Sequence, residues 1–374
     1  MPAEHIRLAS TDVDSPELRR VAKALADGAV VVFPTETVYG VCANAGSADG
    51  MARLRQAKTR DADKPFTVHI GRRERVEAFV PDMSPLARRL VHKGWPGPLT
   101  LIFGVDNPKQ AKVFDQLCDA GAASIYGASS VGVRCPANDV AGALFEQAGV
   151  PIVASSANAG GDPAPNNLDG MKPDFLEQVD FVVDTGETRY RKASTIVQLN
   201  GDGYRLVREG VLDARMVQRL ARVGVLFVCT GNTCRSPIAE GICRKAIAER
   251  IGCPIDELAA RGIDIQSAGT SAWPGAGPAT QSVEVCAARG VDISNHRSQG
   301  LSDDLILSSD YIFAMTRGHV NAINGMVPAS VGRVALLDDQ TDIADPIGGP
   351  TELYEQVARQ IERALARRLE EVNV

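Results

Sequence analysis

The stretch Val225–Glu240 reads Val-Leu-Phe-Val-Cys-Thr-Gly-Asn-Thr-Cys-Arg-Ser-Pro-Ile-Ala-Glu. An apolar run ends at Cys229, a short polar loop follows, Arg235 and Ser236 close it, and Pro237 opens a helix. Few sequences constrain local structure so tightly. The loop is pinned between a strand end and a helix amino terminus, where backbone N–H groups have no helical partner and point into the loop. Such a cradle receives an anion. Cys229 at its floor adds a nucleophile, and the helix end, the loop amides and the Arg235 guanidinium all favour the thiolate over the thiol. The same donors match the equatorial oxygens of a phosphoryl group in transfer, so one constellation serves both the nucleophile and the transition state.

Ser236 is positioned to add a hydroxyl bond to the sulfur. Cys234 has two open readings, a reversible disulfide partner that shields Cys229 or a small loop filler. A thiolate also needs a proton source for the leaving group and a base for water. Asp345, in Asp345-Pro-Ile-Gly-Gly-Pro350, is the candidate for both. By itself that segment reads as a plain turn.

The 374 residues set a prior of two to three domains. The carboxy-terminal motif belongs to a fresh α/β pattern that starts at Val223. Strands are expected at Val225–Val228, Ile263–Ser267 and Tyr311–Ala314, and the last helix aligns Leu353, Val357, Ile361, Leu365 and Leu369 on one face. Ahead of it lies another α/β pattern. Its expected strands are Val30–Phe33, Phe66–Ile70, Leu99–Phe103, Val131–Arg134, Ile152–Ala154, Phe181–Val183, Thr195–Leu199 and Tyr204–Val207. The expected division is 1–212, a linker at 213–222 that includes a short helix near Leu212–Leu220, and 223–374.

The net charge of −6 gives no support to a broad nucleic-acid-binding surface. No apolar run reaches the roughly 18 residues of a membrane span, and the amino terminus has no signal-peptide core. A cytoplasmic protein is expected. The eight cysteines and five histidines form no zinc knuckle, so no protein-held metal is expected.

The first half carries scattered signals. Pro34-Thr-Glu-Thr-Val-Tyr-Gly40 follows a strand and offers Thr35, Thr37 and Tyr39 hydroxyls at its mouth. Lys58-Thr-Arg60 supplies cations, Arg134 ends a strand, and Ser155-Ser-Ala-Asn158 ends another. Each reads singly as a turn. Together they suit phosphate or carboxylate capture. Neither Gly-x-x-x-x-Gly-Lys-Ser/Thr nor Gly-x-Gly-x-x-Gly occurs after a strand, so a nucleotide here would be held by other means.

Two family resemblances follow. Cys229-Thr-Gly-Asn-Thr-Cys-Arg-Ser-Pro237, with Asp345-Pro346, Ser267-Ala-Gly-Thr270 and Met315-Thr-Arg-x-His319, resembles the low-molecular-weight protein phosphatases over about 223–370. That implies an α/β domain with a central parallel sheet and a metal-free route through a cysteinyl-phosphate. Cys229, Arg235 and Asp345 would be catalytic, with Thr230, Gly231, Asn232, Thr233, Cys234 and Ser236 supporting the loop. Thr233 together with Asp-Pro-x-Gly-Gly is similar to the bacterial branch acting on phosphoarginine in proteins, favoured here over phosphotyrosine, which stays the alternative.

Pro34–Gly40, Lys58-x-Arg60, Pro65–His69, Pro96–Thr100, Arg134-Cys-Pro136, Ser156-Ala-Asn158 and Ser194-Thr-Ile196 resemble the YrdC/Sua5 family of threonylcarbamoyl-AMP synthases over about 13–212. The resemblance implies a twisted α/β fold that condenses L-threonine, bicarbonate and ATP, with Mg2+ on the triphosphate, into threonylcarbamoyl-AMP and pyrophosphate. The product feeds the t6A transferase machinery that modifies tRNA; whether tRNA itself binds is left open. Lys58, Arg60, Ser156, Asn158 and Ser194 would then hold ATP, and Thr35, His69 and Arg134 would hold threonine. A rival from another class is an RNA- or ribosome-binding module joined to a regulatory phosphatase.

Overall fold

In the computed structural model, residues 3–59, 65–127, 129–201 and 203–372 are described. The chain divides into two compact units, Met1–Ala221 and Arg222–Val374.

The first unit is built on a ten-stranded sheet. Its strands are β1 (Glu4–Arg7), β2 (Val31–Phe33), β3 (Gly40–Asn44), β4 (Thr67–His69), β5 (Leu99–Gly104), β6 (Ser130–Arg134), β7 (Ile152–Ser156), β8 (Phe181–Asp184), β9 (Thr195–Asn200) and β10 (Gly203–Arg208). They lie in the order β1-β8-β2-β3-β7-β4-β6-β5-β9-β10, with parallel and antiparallel pairs mixed. Helices α1 (Pro16–Ala26), α2 (Ala48–Ala57), α3 (Pro85–Gly94), α4 (Asp119–Tyr126), α5 (Asp139–Ala148), α6 (Pro173–Leu176) and α7 (Ala214–Ala221) cover both faces. Strand alternation explains the two layers. Val31, Phe33, Cys42, Ile152 and Ala154 pack with α1 and α5. Val30, Val32, Val41, Val68, Val133 and Val153 pack with α2, α3, α4 and α7.

Local chemistry sets the ends. Ser15 caps α1 by accepting from the Leu18 N–H at 3.2 Å, and Pro16 occupies the first turn. Gly40 has no room for a side chain, since a Cβ would lie 2.5 Å from the Phe33 ring. The segment expected to be a linker is largely α7, a helix of the first unit. Its Val217 and Ala221 are buried in the first unit's core, and that apolar face turns the segment from tether into packed structure.

The second unit has four parallel strands, β11 (Val223–Cys229), β12 (Ile263–Gly269), β13 (Tyr311–Ala314) and β14 (Val334–Leu336), in the order β12-β11-β13-β14. Helices α8 (Arg235–Ile251), α9 (Thr280–Ala287) and α12 (Thr351–Arg368) pack on one face. Helices α10 (Asp303–Ser308) and α11 (Arg317–Met326) pack on the other. The chain leaves β11 for β12 on one side and returns to β13 on the other. The carboxyl end of β11 is therefore a topological switch point, where open α/β sheets leave a crevice. Cys229 is the last residue of that strand.

Candidate active sites

In the second unit, Cys229 is 2% exposed and stands at the start of a loop that wraps its sulfur. The Asn232 N–H donates to Sγ at 3.2 Å. Ser236 Oγ lies 3.0 Å from Sγ and accepts from Asn232 Nδ2 at 2.9 Å, and its own proton is available to a Cys229 thiolate. Asn232 is fully buried with φ +55°, a left-handed conformation that asparagine tolerates better than most residues. Its amide also donates to Ser267 Oγ at 2.8 Å and accepts from the Gln299 N–H at 2.9 Å. Ser267 passes its own proton to Glu240 at 2.6 Å, and His296 Nε2 donates to the Asn232 carbonyl at 2.9 Å. Gly269 ends β12 against this loop, where a Cβ would lie 2.5 Å from the Thr230 carbonyl and 3.0 Å from the Asn232 nitrogen.

Arg235 opens α8 and is buried, with Nη1 on the Ile343 carbonyl at 3.1 Å and Nη2 near Thr230 Oγ1 at 3.4 Å. Nη2 also donates to the Asp345 carboxylate, whose side chain is 39% exposed. His319 bridges Thr230 and Thr316 through its two ring nitrogens at 3.0 and 2.9 Å. Burial first, then the nearby Arg235 charge, pulls its pKa below the usual histidine value, which favours neutral imidazole. Cys234 Sγ lies 3.5 Å from the Tyr354 hydroxyl and 3.7 Å from Thr233 Oγ1. Thr233 also accepts the Ala279 N–H through its carbonyl, and Gly231 lies within the loop. The structure thus gathers all nine residues expected at this site. Sequence reasoning left Glu240, His296 and Gln299 unassigned; no spacing signal ties them to the loop. By contrast, burial pushes the thiol pKa of Cys42, Cys135, Cys243 and Cys286 well up, to about 12 for Cys135 and Cys286.

The first unit brings together two clusters. In one, Lys58 Nζ donates to the Ser156 carbonyl at 2.6 Å, to Asn158 Oδ1 at 3.3 Å and to the Asn158 carbonyl. Thr59, at φ +43°, holds the neighbouring loop through the Gly160 N–H at 3.2 Å. Arg60 lies outside the described residues.

In the other, Arg134 donates to Glu36 at 2.9 Å and to Thr37 Oγ1 at 2.7 Å. Thr100 sits beside Arg134 in the β5–β6 register, and its hydroxyl meets Ser194 Oγ at 2.9 Å. Arg208 donates to the Ser194 carbonyl at 2.8 Å. Arg208 is exposed overall, yet its guanidinium is partly stripped of water and close to Arg134. Desolvation first, then that like charge, lower its pKa.

Two expected threonine-pocket residues have their side chains engaged within the protein. The Thr35 hydroxyl is engaged inside its own turn. It donates to the Val38 carbonyl at 2.6 Å and accepts from the Thr37 and Val38 N–H groups at 3.1 and 3.2 Å. His69 packs edge-on against Phe33 and Phe145 and holds the Thr67 carbonyl through Nδ1 at 3.1 Å. Burial, then Arg134, pulls its pKa to about 3, so it is a neutral group at physiological pH and not a cation for a carboxylate. Glu36, Thr100 and Arg208 are contributors that sequence reasoning did not assign. Glu36 was visible between the two threonines after a strand; Arg208 carried no signal.

Comparison with known proteins agrees with both halves. Residues 23–210 match the Sua5/YciO/YrdC family model, described as "Telomere recombination", and residues 224–374 match "Low molecular weight phosphotyrosine protein phosphatase". The threonylcarbamoyl-AMP synthase of Pyrococcus abyssi is 34% identical over 208 residues, covering 56% of this chain; the match spans 58% of that relative's length. The protein-arginine-phosphatase of Bacillus subtilis is 34% identical over 153 residues, covering 39% of this chain and 95% of its own length. A solved double mutant of Pyrococcus abyssi Sua5 matches with a TM-score of 0.50 at 24% identity, over 83% of this chain and 99% of that one, a likeness of fold alone. Both units therefore match families of enzymes, and no helix among the described residues is long and apolar enough to cross a membrane. The chain belongs to the Sua5/YciO/YrdC family through its first unit and to the low molecular weight phosphotyrosine protein phosphatase family through its second.

Proposed function

We propose that the chain is bifunctional. The first unit condenses L-threonine, bicarbonate and ATP into threonylcarbamoyl-AMP, releasing pyrophosphate and water. The second hydrolyses phosphoproteins, with phosphoarginine preferred.

For the second unit the carrying observation is Cys229 Sγ between the donating Asn232 N–H and the Ser236 hydroxyl, in a loop closed by the buried Arg235. The sulfur attacks phosphorus as the N–P bond breaks, and Asp345 gives its proton to the departing guanidino nitrogen. Water then attacks the cysteinyl-phosphate, Asp345 takes a proton back, and phosphate leaves. Asp345 rests on Arg235, and an incoming phosphoryl group takes over that guanidinium and frees the carboxylate. Thr233 offers a small polar wall suited to a planar guanidinium. A phosphotyrosine substrate is the second reading, supported by Trp273 and Ile347, exposed at 84% and 69%, as apolar surface for a ring.

For the first unit the carrying observation is the convergence of Arg134, Arg208, Ser194 and Thr100, with Lys58 held on the Ser156–Asn158 loop. Threonine nitrogen attacks the carbon of bicarbonate with loss of water. The resulting carbamate oxygen then attacks the α-phosphorus, and pyrophosphate leaves. The three reactants are anionic or carry an anionic group, and cations gather them. Lys58, Arg60, Ser156, Asn158 and Ser194 are read as ATP ligands, Arg208 joining them at the rim. Thr35, through the turn it fixes, His69 and Arg134 are read as the threonine pocket. ATP enters as its magnesium complex, the ion held by the triphosphate; among the described residues no group of three or more His, Cys, Asp or Glu could hold it. The product goes to the t6A transferase machinery, and the protein works in the cytoplasm.

The test is a paired assay on the full chain: threonine-dependent pyrophosphate release, and turnover of matched phosphoarginine and phosphotyrosine peptides. Cys229→Ser should abolish peptide turnover and leave pyrophosphate release intact, and Lys58→Ala should do the reverse. Pyrophosphate release indifferent to threonine would defeat the first assignment. Faster turnover of phosphotyrosine would replace the second with the alternative.

A further inference from the structure

We infer that Glu36 is a positioning residue for Arg134, a fixed buried counter-ion that sets how that guanidinium meets the carboxylate of the amino-acid substrate. This rests on the threonine reading of the first unit and adds to it a residue and a task.

The two side chains are almost sealed from water, 6% exposed for Arg134 and 4% for Glu36. A buried charge pair persists only where each partner is well bonded. Glu36 meets that condition. One carboxylate oxygen accepts from Arg134 Nη2 at 2.9 Å and the other from the Ala137 N–H at 3.1 Å, while its backbone carbonyl accepts from the Tyr190 N–H at 2.8 Å. The residue is held by three bonds to two separate stretches of chain, 134–137 and Tyr190, and is not free to swing aside.

Arg134 is fixed in turn. Nη2 places its hydrogens on Glu36 and on Thr37 Oγ1. The Thr35 proton goes to the Val38 carbonyl, so across the 2.8 Å Thr35–Thr37 contact Thr37 must be the donor. The relay runs one way, from Arg134 to Thr37 to Thr35 to Val38, and turning the guanidinium would break it. Nη1 and Nε remain, and of these Nε is buried and has no hydrogen-bond partner. A sealed N–H without a partner asks for an explanation. A substrate carboxylate docking on the Nε edge supplies one. Glu36 also offsets one of two neighbouring positive charges, since Arg208 stands close enough to lower its own pKa through Arg134.

Glutamine at this position is isosteric but cannot serve both contacts. Its single amide oxygen can face Arg134 or Ala137, and its NH2 then confronts a donor on the other side. The experiment uses the full chain and reads threonine-dependent pyrophosphate release, with L-threoninol, which lacks the carboxylate, as a competitive inhibitor. Glu36→Gln should raise KM for threonine about tenfold or more, leave KM for ATP within about twofold, and leave the threoninol inhibition constant within about twofold. An unchanged threonine KM overturns the inference. So does a parallel weakening of threonine, ATP and threoninol, which marks a general structural role. Thr37→Val removes the second acceptor on Nη2 without changing charge, and should show the same selective rise on a smaller scale. If neither variant folds, Glu36 serves folding and the inference fails. A wild-type chain with no threonine dependence would instead remove the reading beneath it.

Discussion

Asn232 offers the sharpest quantitative test of the loop. Replacing it with alanine removes three side-chain hydrogen bonds, to Ser236 at 2.9 Å, to Ser267 at 2.8 Å and from the Gln299 N–H at 2.9 Å. At about 1 kcal/mol net for each bond, the loss is about 3 kcal/mol. Alanine must also hold φ +55°, which adds about 1 kcal/mol. The total, about 4 kcal/mol, corresponds to about 8–16 °C in Tm for a unit of this size. Glycine loses the same bonds and escapes the left-handed penalty, although it gives back part of that gain in backbone entropy, so Asn232→Gly should be about 0.5–1 kcal/mol less damaging than Asn232→Ala. Calorimetry on the full chain can isolate the effect, since the second unit's transition is the one that vanadate raises. The unit-1 transition should stay put. A shift below about 2 °C in the alanine variant, or a glycine variant less stable than alanine, would show that the network does not carry the loop.

Three further outcomes follow from the geometry. Gly269→Ala puts a methyl 2.5 Å from the Thr230 carbonyl, so the loop must move; peptide phosphatase kcat should fall at least about 100-fold while pyrophosphate release is kept. His69 is held neutral by burial, its pKa falling from 6.5 to about 3, so below about pH 6.5 the unfolded chain binds a proton that the folded chain refuses. Stability of the first unit should therefore fall by about 1.4 kcal/mol per pH unit from this group, and denaturation at pH 7 and 5 should show that component missing in His69→Phe. Arg208→Met keeps the stem and deletes the charge, and should raise KM for ATP about tenfold, a change that initial-rate kinetics would detect.

The phosphatase loop was legible because its chemistry is contiguous. A strand, a cysteine, an arginine and a helix start lie between Val225 and Pro237, and the structure places them at a sheet switch point as the pattern implied. Asp345 was readable only beside that loop. Of the brace behind the loop only Ser267, in Ser267-Ala-Gly-Thr270, was readable; Glu240 on one side and His296 and Gln299 on another meet the loop only through packing. In the first unit, Lys58, Ser156 and Asn158 do meet, though Lys58 lies far in sequence from the loop it grips. The pairing of Glu36 with Arg134 depends on how β2 and β6 are ordered in a sheet whose neighbours are not sequential. β1 was missed because Glu4-His-Ile-Arg7 buries only Ile6 and gives no alternation to read. The short helix α7 is readable near Leu212–Leu220, but its packing into the first unit is not, because only Val217 and Ala221 of its eight residues are buried.

The sealing of Cys42, Cys135, Cys243 and Cys286 has a practical side. To a mild alkylating reagent at neutral pH these four sulfurs are silent, held as thiols inside apolar packing. Label is then expected on the half-covered Cys118 and Cys253 and, where the reagent enters the anion cradle, on the loop pair Cys229 and Cys234, which are themselves buried. Mass spectrometry with and without vanadate would sort one pair from the other, so the unaltered chain carries its own occupancy reporter without a single engineered thiol.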